Sequence, residues 1–120
     1  MKNILLVDDD RAICSAMNIL LKPPKYKLAC CGSIKEATSV LKGKKEGFDL
    51  ILLDLMLPDG SGYSLLEKLR KGSKVPVIVI SSNDTAKAAR EAFKLGATDY
   101  VCKPFDVSEL ISIVEENLHG

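Results

Sequence analysis

The sequence has no tryptophan, a single histidine (His119) and only 5% aromatic residues. Its four cysteines, Cys14, Cys30, Cys31 and Cys102, never fall in a C-x-x-C spacing. With one histidine to join them, a Cys/His zinc site is hard to build. Cys30 and Cys31 are adjacent and too close for an ordinary bridge. The expectation is therefore four thiols, acting as small apolar side chains in a reducing cytosol. No apolar run approaches the ~18 residues that cross a bilayer. The N-terminus carries no cleavable leader pattern, so the expected compartment is the cytoplasm, with no membrane partner. Neither charge sign is in excess: the formal net charge is +1. That argues against direct nucleic-acid binding, which usually needs a strongly basic face.

What is present is a rhythm. The 120 residues, 47% of them hydrophobic, suit one globular domain. Short apolar runs alternate with stretches of helical periodicity. The runs are Ile4 to Val7, Tyr26 to Cys31, Leu50 to Leu55, Val75 to Ile80 and Tyr100 to Cys102. Between them, Ile13, Met17, Leu20 and Leu21 mark a first helix that Pro23 and Pro24 stop. Ser33 caps a second, with Ile34, Ala37, Val40 and Leu41 on one face. The charged turn Lys42–Gly47 leads to the third run. Leu65, Leu66 and Leu69 mark a third helix. Ala86, Ala89, Ala92 and Phe93 mark a fourth, capped within "SSND" and ended by Gly96. Val107, Leu110, Ile111, Val114 and Leu118 form the stripe of a fifth, started by Asp106 or Ser108. Five β-α units predict an α/β fold: one doubly wound, five-stranded parallel sheet with helices on both faces. No linker, repeat or second domain is expected.

In such folds ligands bind outside the carboxyl ends of the strands. The first run ends in Asp8-Asp9, the third at Asp54, the fourth in Ser81-Ser82 and the fifth in Lys103-Pro104. Acids, a hydroxyl and a lysine thus converge on one edge. Asp10 reads as a helix cap or dipole partner. Asn83 and Asp84 read as caps too. Asp54 resists so plain a reading, because a carboxylate in "LILLDLML" is costly to bury unpaired. Clustered carboxylates with water suit Mg²⁺. Mg²⁺ neutralises phosphate oxygens, a lysine and a hydroxyl hold the others, and an aspartate can be the nucleophile that becomes an aspartyl phosphate.

At this point the sequence resembles a response-regulator receiver domain of two-component signalling, over the whole chain, 1–120. "LLVDDD", "ILLDLMLPDGSG", "VPVIVISS" and "GATDYVCKPF" carry the resemblance. It implies the flavodoxin-like strand order 2-1-3-4-5. It implies that Asp54 accepts a phosphoryl group from a sensor histidine kinase or histidine phosphotransfer protein. Asp9 and Asp54 would ligate Mg²⁺, with Asp8 helping and the Met56 backbone carbonyl completing the set. Lys103 and Ser81 would contact the phosphoryl group, and Tyr100 would switch between outward and inward positions. The Lys103-Pro104 bond would be cis. Met56, Ser82 and Asn83 would tune phosphoryl lifetime; Ser82 stands where alanine is common, and Leu57 where methionine often precedes the proline. The chain would be a signalling switch that catalyses only its own phosphorylation and dephosphorylation. Its output would pass through the fourth helix, fifth strand and fifth helix to an output domain or partner, with a homodimer among the outcomes of phosphorylation. Lys87, Arg90 and Lys94 lie along that fourth helix, as an acidic partner's contact or an ordinary solvated face.

Two other classes share parts of this pattern. An aspartyl-phosphate hydrolase of the haloacid-dehalogenase type needs a second acid two residues after its nucleophile, where this chain has Met56. A flavodoxin-like cofactor carrier needs a phosphate cradle in the first loop, where "DDDRA" would repel the anion.

Overall fold

Three runs of aliphatic residues become the interior strands because both of their faces are covered, so no side of the strand has to be polar. A computed structural model describes residues 1–44 and 47–119. Its parallel sheet contains β1 (Lys2–Val7), β2 (Tyr26–Cys31), β3 (Leu50–Asp54), β4 (Val77–Ser81) and β5 (Asp99–Cys102), in the order β2-β1-β3-β4-β5. The helices are α1 (Arg11–Leu20), α2 (Ile34–Gly43), α3 (Gly62–Arg70), α4 (Ala86–Lys94) and α5 (Val107–His119). A short antiparallel hairpin pairs Met56–Leu57 with Gly60–Ser61 in the loop after β3. Part of the Lys42–Gly47 turn, the His119 side chain and Gly120 lie outside the described residues.

Strand alternation divides the core in two. Ile4, Leu6, Leu50, Leu52, Ile78 and Ile80 face one way, onto Met17 of α1 and Leu110 and Val114 of α5. Leu5, Val7, Ile51, Leu53, Val77 and Val79 face the other, onto Ala37 of α2, Leu65 and Leu66 of α3 and Ala92 of α4. The register pairs Val7 with Leu53 and Asp54 with Ile80. It therefore aligns the carboxyl ends of the three central strands.

Several local expectations are corrected. β4 begins at Val77, not Val75: Pro76 has no amide hydrogen to give a ladder and contributes only its carbonyl, to Ile51 N at 2.9 Å. The fourth helix is capped by Thr85, whose hydroxyl accepts from Ala88 N at 3.1 Å, while Asn83 Oδ1 holds Thr85 in place. Its buried residues are Ala88 and Ala92; Phe93 is 48% exposed and stands with the basic side chains instead of the core. Leu20, read as part of the α1 stripe, is likewise exposed. The cysteines differ most. Cys14 of α1 and Cys30 of β2 are joined in a disulfide, with their Cα atoms 6.3 Å apart. Cys31 and Cys102 are free thiols, one buried and one exposed. The pairing arises because α1 packs on the sheet face to which Cys30 points, a juxtaposition that no local spacing reveals.

Candidate functional site

Each strand end delivers its group by a backbone bond to its neighbour. Asp8 N donates to Cys31 O at 2.9 Å, fixing the end of β1 against β2. Lys103 N donates to Ser81 O at 2.7 Å, fixing the end of β5 against β4. The run Asp8-Asp9-Asp10 is then divided by backbone geometry. Asp8 is 4% exposed, and its Oδ1 accepts from Asp10 N at 2.9 Å. Asp10 is the N-cap of α1, accepting from Ala12 N at 2.9 Å. Asp9, between them, is exposed.

Asp54 closes the site from β3 and is 5% exposed. Its Oδ1 accepts from Met56 N at 3.2 Å, and its Oδ2 meets Lys103 Nζ at 3.3 Å. The same ammonium lies 2.9 Å from Asp8 Oδ2. Lys103 thus bridges two buried carboxylates. Carboxylate oxygens of Asp8, Asp9 and Asp54 all lie within 4.8 Å of one another. One cation shared among three acids leaves the pocket short of positive charge. Among the described residues, the buried Asp8 Oδ2 has no hydrogen-bond partner beyond its ion pair. A clustered, oxygen-only donor set that shares a single lysine fits a hard divalent cation such as Mg²⁺.

Electrostatics follow. Burial pushes the Asp54 carboxyl above its ordinary value of 3.8, and the Asp8 charge adds to that against the opposing Met56 amide and Lys103. For Lys103, burial works to lower the ammonium, but Asp8 and Asp54 outweigh it and the net shift is upward. Because folded Asp54 holds its proton more tightly than the unfolded chain does, stability should fall as pH rises from 3.8 through the raised folded value. Asp54→Asn removes that penalty and keeps an acceptor for Met56 N. In chelator, its urea midpoint at pH 7 should exceed that of the wild type, and the gap should close toward pH 3.

The remaining predicted residues surround this centre. Ser81 is 1% exposed, and its hydroxyl accepts from Asn83 N at 3.1 Å. Ser82, Asn83 and the Met56 side chain are exposed at the rim. The Lys103–Pro104 peptide is cis. Tyr100 is half-buried, and its hydroxyl donates to Asn83 O at 2.6 Å, reaching across to the loop before α4. Lys87, Arg90 and Lys94 are exposed on α4.

Some contributors escaped the sequence reading. Tyr63 OH donates to Ala88 O at 3.2 Å, tying α3 to α4 beside a cleft of about 410 Å³ lined by Met56, Ser81 and Asn83. Asp59 caps α2 from the loop after β3, accepting from Ile34 N at 2.9 Å and Lys35 N at 3.0 Å. Neither has a local signal, because each partner is 24 or 25 residues away. Gly62 approaches the backbone of Asp54 so closely that a Cβ there would overlap the Asp54 carbonyl oxygen. "PDGSG" reads only as a loop, so that contact too was invisible.

A doubly wound parallel sheet with a lysine-bridged pair of buried aspartates at its carboxyl edge is the arrangement expected of a receiver domain. The chain belongs to the response regulator receiver domain family, whose model matches residues 4–115. It is 33% identical over 115 residues to the nisin biosynthesis regulatory protein NisR of Lactococcus lactis subsp. lactis, covering 96% of this chain and 49% of that protein. It is 33% identical over 107 residues to the two-component response regulator ARR11 of Arabidopsis thaliana, covering 89% of this chain and 20% of that protein. The chain therefore spans about half or less of the curated relatives it matches. Among solved structures it resembles the non-phosphorylated HemR receiver domain of Leptospira biflexa, with TM-score 0.91 and 30% identity over 100% of this chain and 96% of that one. The receiver domain of Francisella response regulator 1452 gives TM-score 0.90 and 31% identity over 98% and 97%.

Proposed function

We propose that this receiver domain takes a phosphoryl group onto Asp54 from a histidine kinase or histidine phosphotransfer protein, in a Mg²⁺-dependent step. The supporting observation is the convergence of Asp8, Asp9 and Asp54 oxygens within 4.8 Å, with Lys103 against two of them. Bound there, Mg²⁺ would neutralise phosphoryl oxygens as charge shifts during transfer. Asp9 and Asp54 would hold it, with Asp8 assisting and the Met56 carbonyl as a further oxygen ligand.

Asp54 is the nucleophile: a carboxylate oxygen attacks phosphorus, and the bond from phosphorus to the donor's imidazole nitrogen breaks. Before transfer, Lys103 and the Met56 amide oppose the protonation that burial of this carboxylate favours. Afterwards the same ammonium faces a phosphoryl oxygen, a charge-assisted contact. Ser81 sits on the adjacent strand end, where its hydroxyl can turn from the Asn83 amide toward the phosphate. Asn83 links this movement to Tyr100, because its carbonyl is the Tyr100 hydroxyl's acceptor. Moving the Ser81–Asn83 segment would release Tyr100 and alter the α4-β5-α5 face, a shift of populations. Phe93, Lys87, Arg90 and Lys94 are exposed there for an output domain, another partner or a second copy. Ser82, Asn83 and Met56 flank the water path and set phosphoryl lifetime. The hydrolase alternative is disfavoured by Met56, which supplies no acid where that chemistry needs one.

Calorimetric titration with Mg²⁺ tests the pocket. Asp9→Ala should weaken binding at least about tenfold. Asp10→Ala should leave it within about twofold, because that carboxylate caps α1 at the helix dipole instead of facing the ion. Equal losses in the two variants would assign the pocket wrongly.

A further inference from the structure

The phosphoryl chemistry makes no use of Cys14 and Cys30. Their bond nevertheless sits where it can act on the pocket. Cys14 N donates to Asp10 O at 3.3 Å, and Asp10 N donates to Asp8 Oδ1 at 2.9 Å. On the other side, the residue after Cys30 is Cys31, whose carbonyl accepts from Asp8 N at 2.9 Å. The disulfide thus joins the two backbone segments that hold Asp8.

Its surroundings suit exchange. Both cysteines are half-buried at the margin of the core, and β2 is the edge strand of the sheet. The Asn18 side chain lies over the pair: its Nδ2 is 3.3 Å from Cys14 Sγ and 3.9 Å from Cys30 Sγ, while donating to Cys14 O at 3.1 Å. An amide donor at a sulfur favours the thiolate over the thiol and so makes Cys14 the better leaving group. The other two cysteines lack this arrangement. Cys31 is buried, and burial pushes its thiol upward, away from reactivity. Exposed Cys102 has no second cysteine bonded to it.

We propose that Cys14 and Cys30 are a reversible thiol–disulfide site for a protein or small-molecule dithiol, and that reduction loosens the Asp8 wall of the acidic pocket. The second half rests on the functional reading above. In the reductive direction, a thiolate of the dithiol attacks Cys30 Sγ and the Cys14–Cys30 bond breaks. Cys14 leaves as a thiolate beside Asn18 and takes a proton. The second thiol of the reductant then attacks the mixed disulfide, releasing Cys30, which is protonated in turn. Two electrons pass to the chain, which gains two thiols, and the reductant becomes a disulfide.

The test uses the full chain purified without reductant, poised in dithiothreitol of graded redox state, then alkylated and mapped by mass spectrometry. Cys14 and Cys30 should become modified together on reduction and protected together on reoxidation. Cys102 should be modified throughout, and Cys31 never. Asn18→Ala should slow reduction about threefold through loss of thiolate stabilisation. Mg²⁺ titration of the two forms should show affinity about threefold weaker after reduction, a coupling of ordinary size. Cys30→Ser should match the reduced form in either buffer. Modification of both cysteines before reduction, with no protection by oxidant, overturns the site. Modification of Cys31 upon reduction also overturns it, since the bond would then be holding the fold together. Equal Mg²⁺ affinity in the two forms overturns the coupling alone. Absence of Mg²⁺ binding in both forms defeats the functional reading, while the alkylation pattern still decides the thiol site.

Discussion

Lys103→Met should cost the metal-free protein about 3 kcal/mol at pH 7, measured by urea denaturation in chelator. The substitution keeps an apolar stem of similar length and removes the ammonium. That ammonium lies 2.9 Å from Asp8 Oδ2 and 3.3 Å from Asp54 Oδ2. The two carboxylate side chains are 0% and 6% exposed, and the lysine 19%. With so little exposed surface, water is a poor substitute for the lysine. Removing one member of a buried ion network costs far more than the network's own net contribution, because uncompensated charge stays behind. The pH dependence has a definite sign. Lys103 is raised above 10.5, so its stabilisation is complete throughout the neutral range and is lost only as pH climbs past that value. The deficit of the variant should shrink in acid, as Asp54 takes up its proton. Adding Asp54→Asn should recover part of the loss at pH 7, since one of the stranded charges is then gone. A variant as stable as the wild type at pH 7 would mean that the lysine does not neutralise this pocket.

Gly62→Ala should cost about 3 kcal/mol or more. The glycine is not there for backbone freedom. Positive φ in this loop belongs to Gly60, at 146°, and not to Gly62. The requirement is space. Gly62 N donates to Leu55 O at 2.8 Å, which draws the start of α3 onto the end of β3. A Cβ at position 62 would overlap the Asp54 carbonyl oxygen and lie 3.0 Å from Leu55 Cα. Both are backbone atoms that cannot swing aside. Relief would have to come from displacing the loop after β3, which carries Met56 and anchors Asp54, so phosphorylation should fall with stability. Gly72→Ala is the control: a Cβ there meets nothing within 4 Å, and the change should stay within about 0.5 kcal/mol. Thermal and urea unfolding of the two variants side by side decides the matter.

These cases show where the sequence was readable. The three central strands were legible because covering both faces of a parallel sheet requires uninterrupted apolar runs, and "ILLV", "LILL" and "VIVI" are such runs. The site was legible for a related reason: Asp54 contradicts its own surroundings, and Asp8 and Lys103 fall at the ends of other runs. What stayed hidden depends on which elements the sheet order brings together. The Cys14–Cys30 bond, the Tyr63 hydrogen bond to Ala88 and the Asp59 cap on α2 each join segments through the fold, with no periodicity to betray them. Helical spacing also does not say which face of the fourth helix meets the core. Ala88 and Ala92 occupy that face, leaving the larger ring outside.

Asp54 is proposed as a Mg²⁺-dependent phosphoacceptor. Incubation with acetyl phosphate, with and without Mg²⁺, followed by intact-mass measurement, tests it directly. The wild type should gain one phosphoryl group in Mg²⁺ and almost none in chelator, and Asp54→Asn should gain none. Labelling of Asp54→Asn at the wild-type rate, or wild-type labelling unchanged by chelator, would rule out Asp54 as that acceptor.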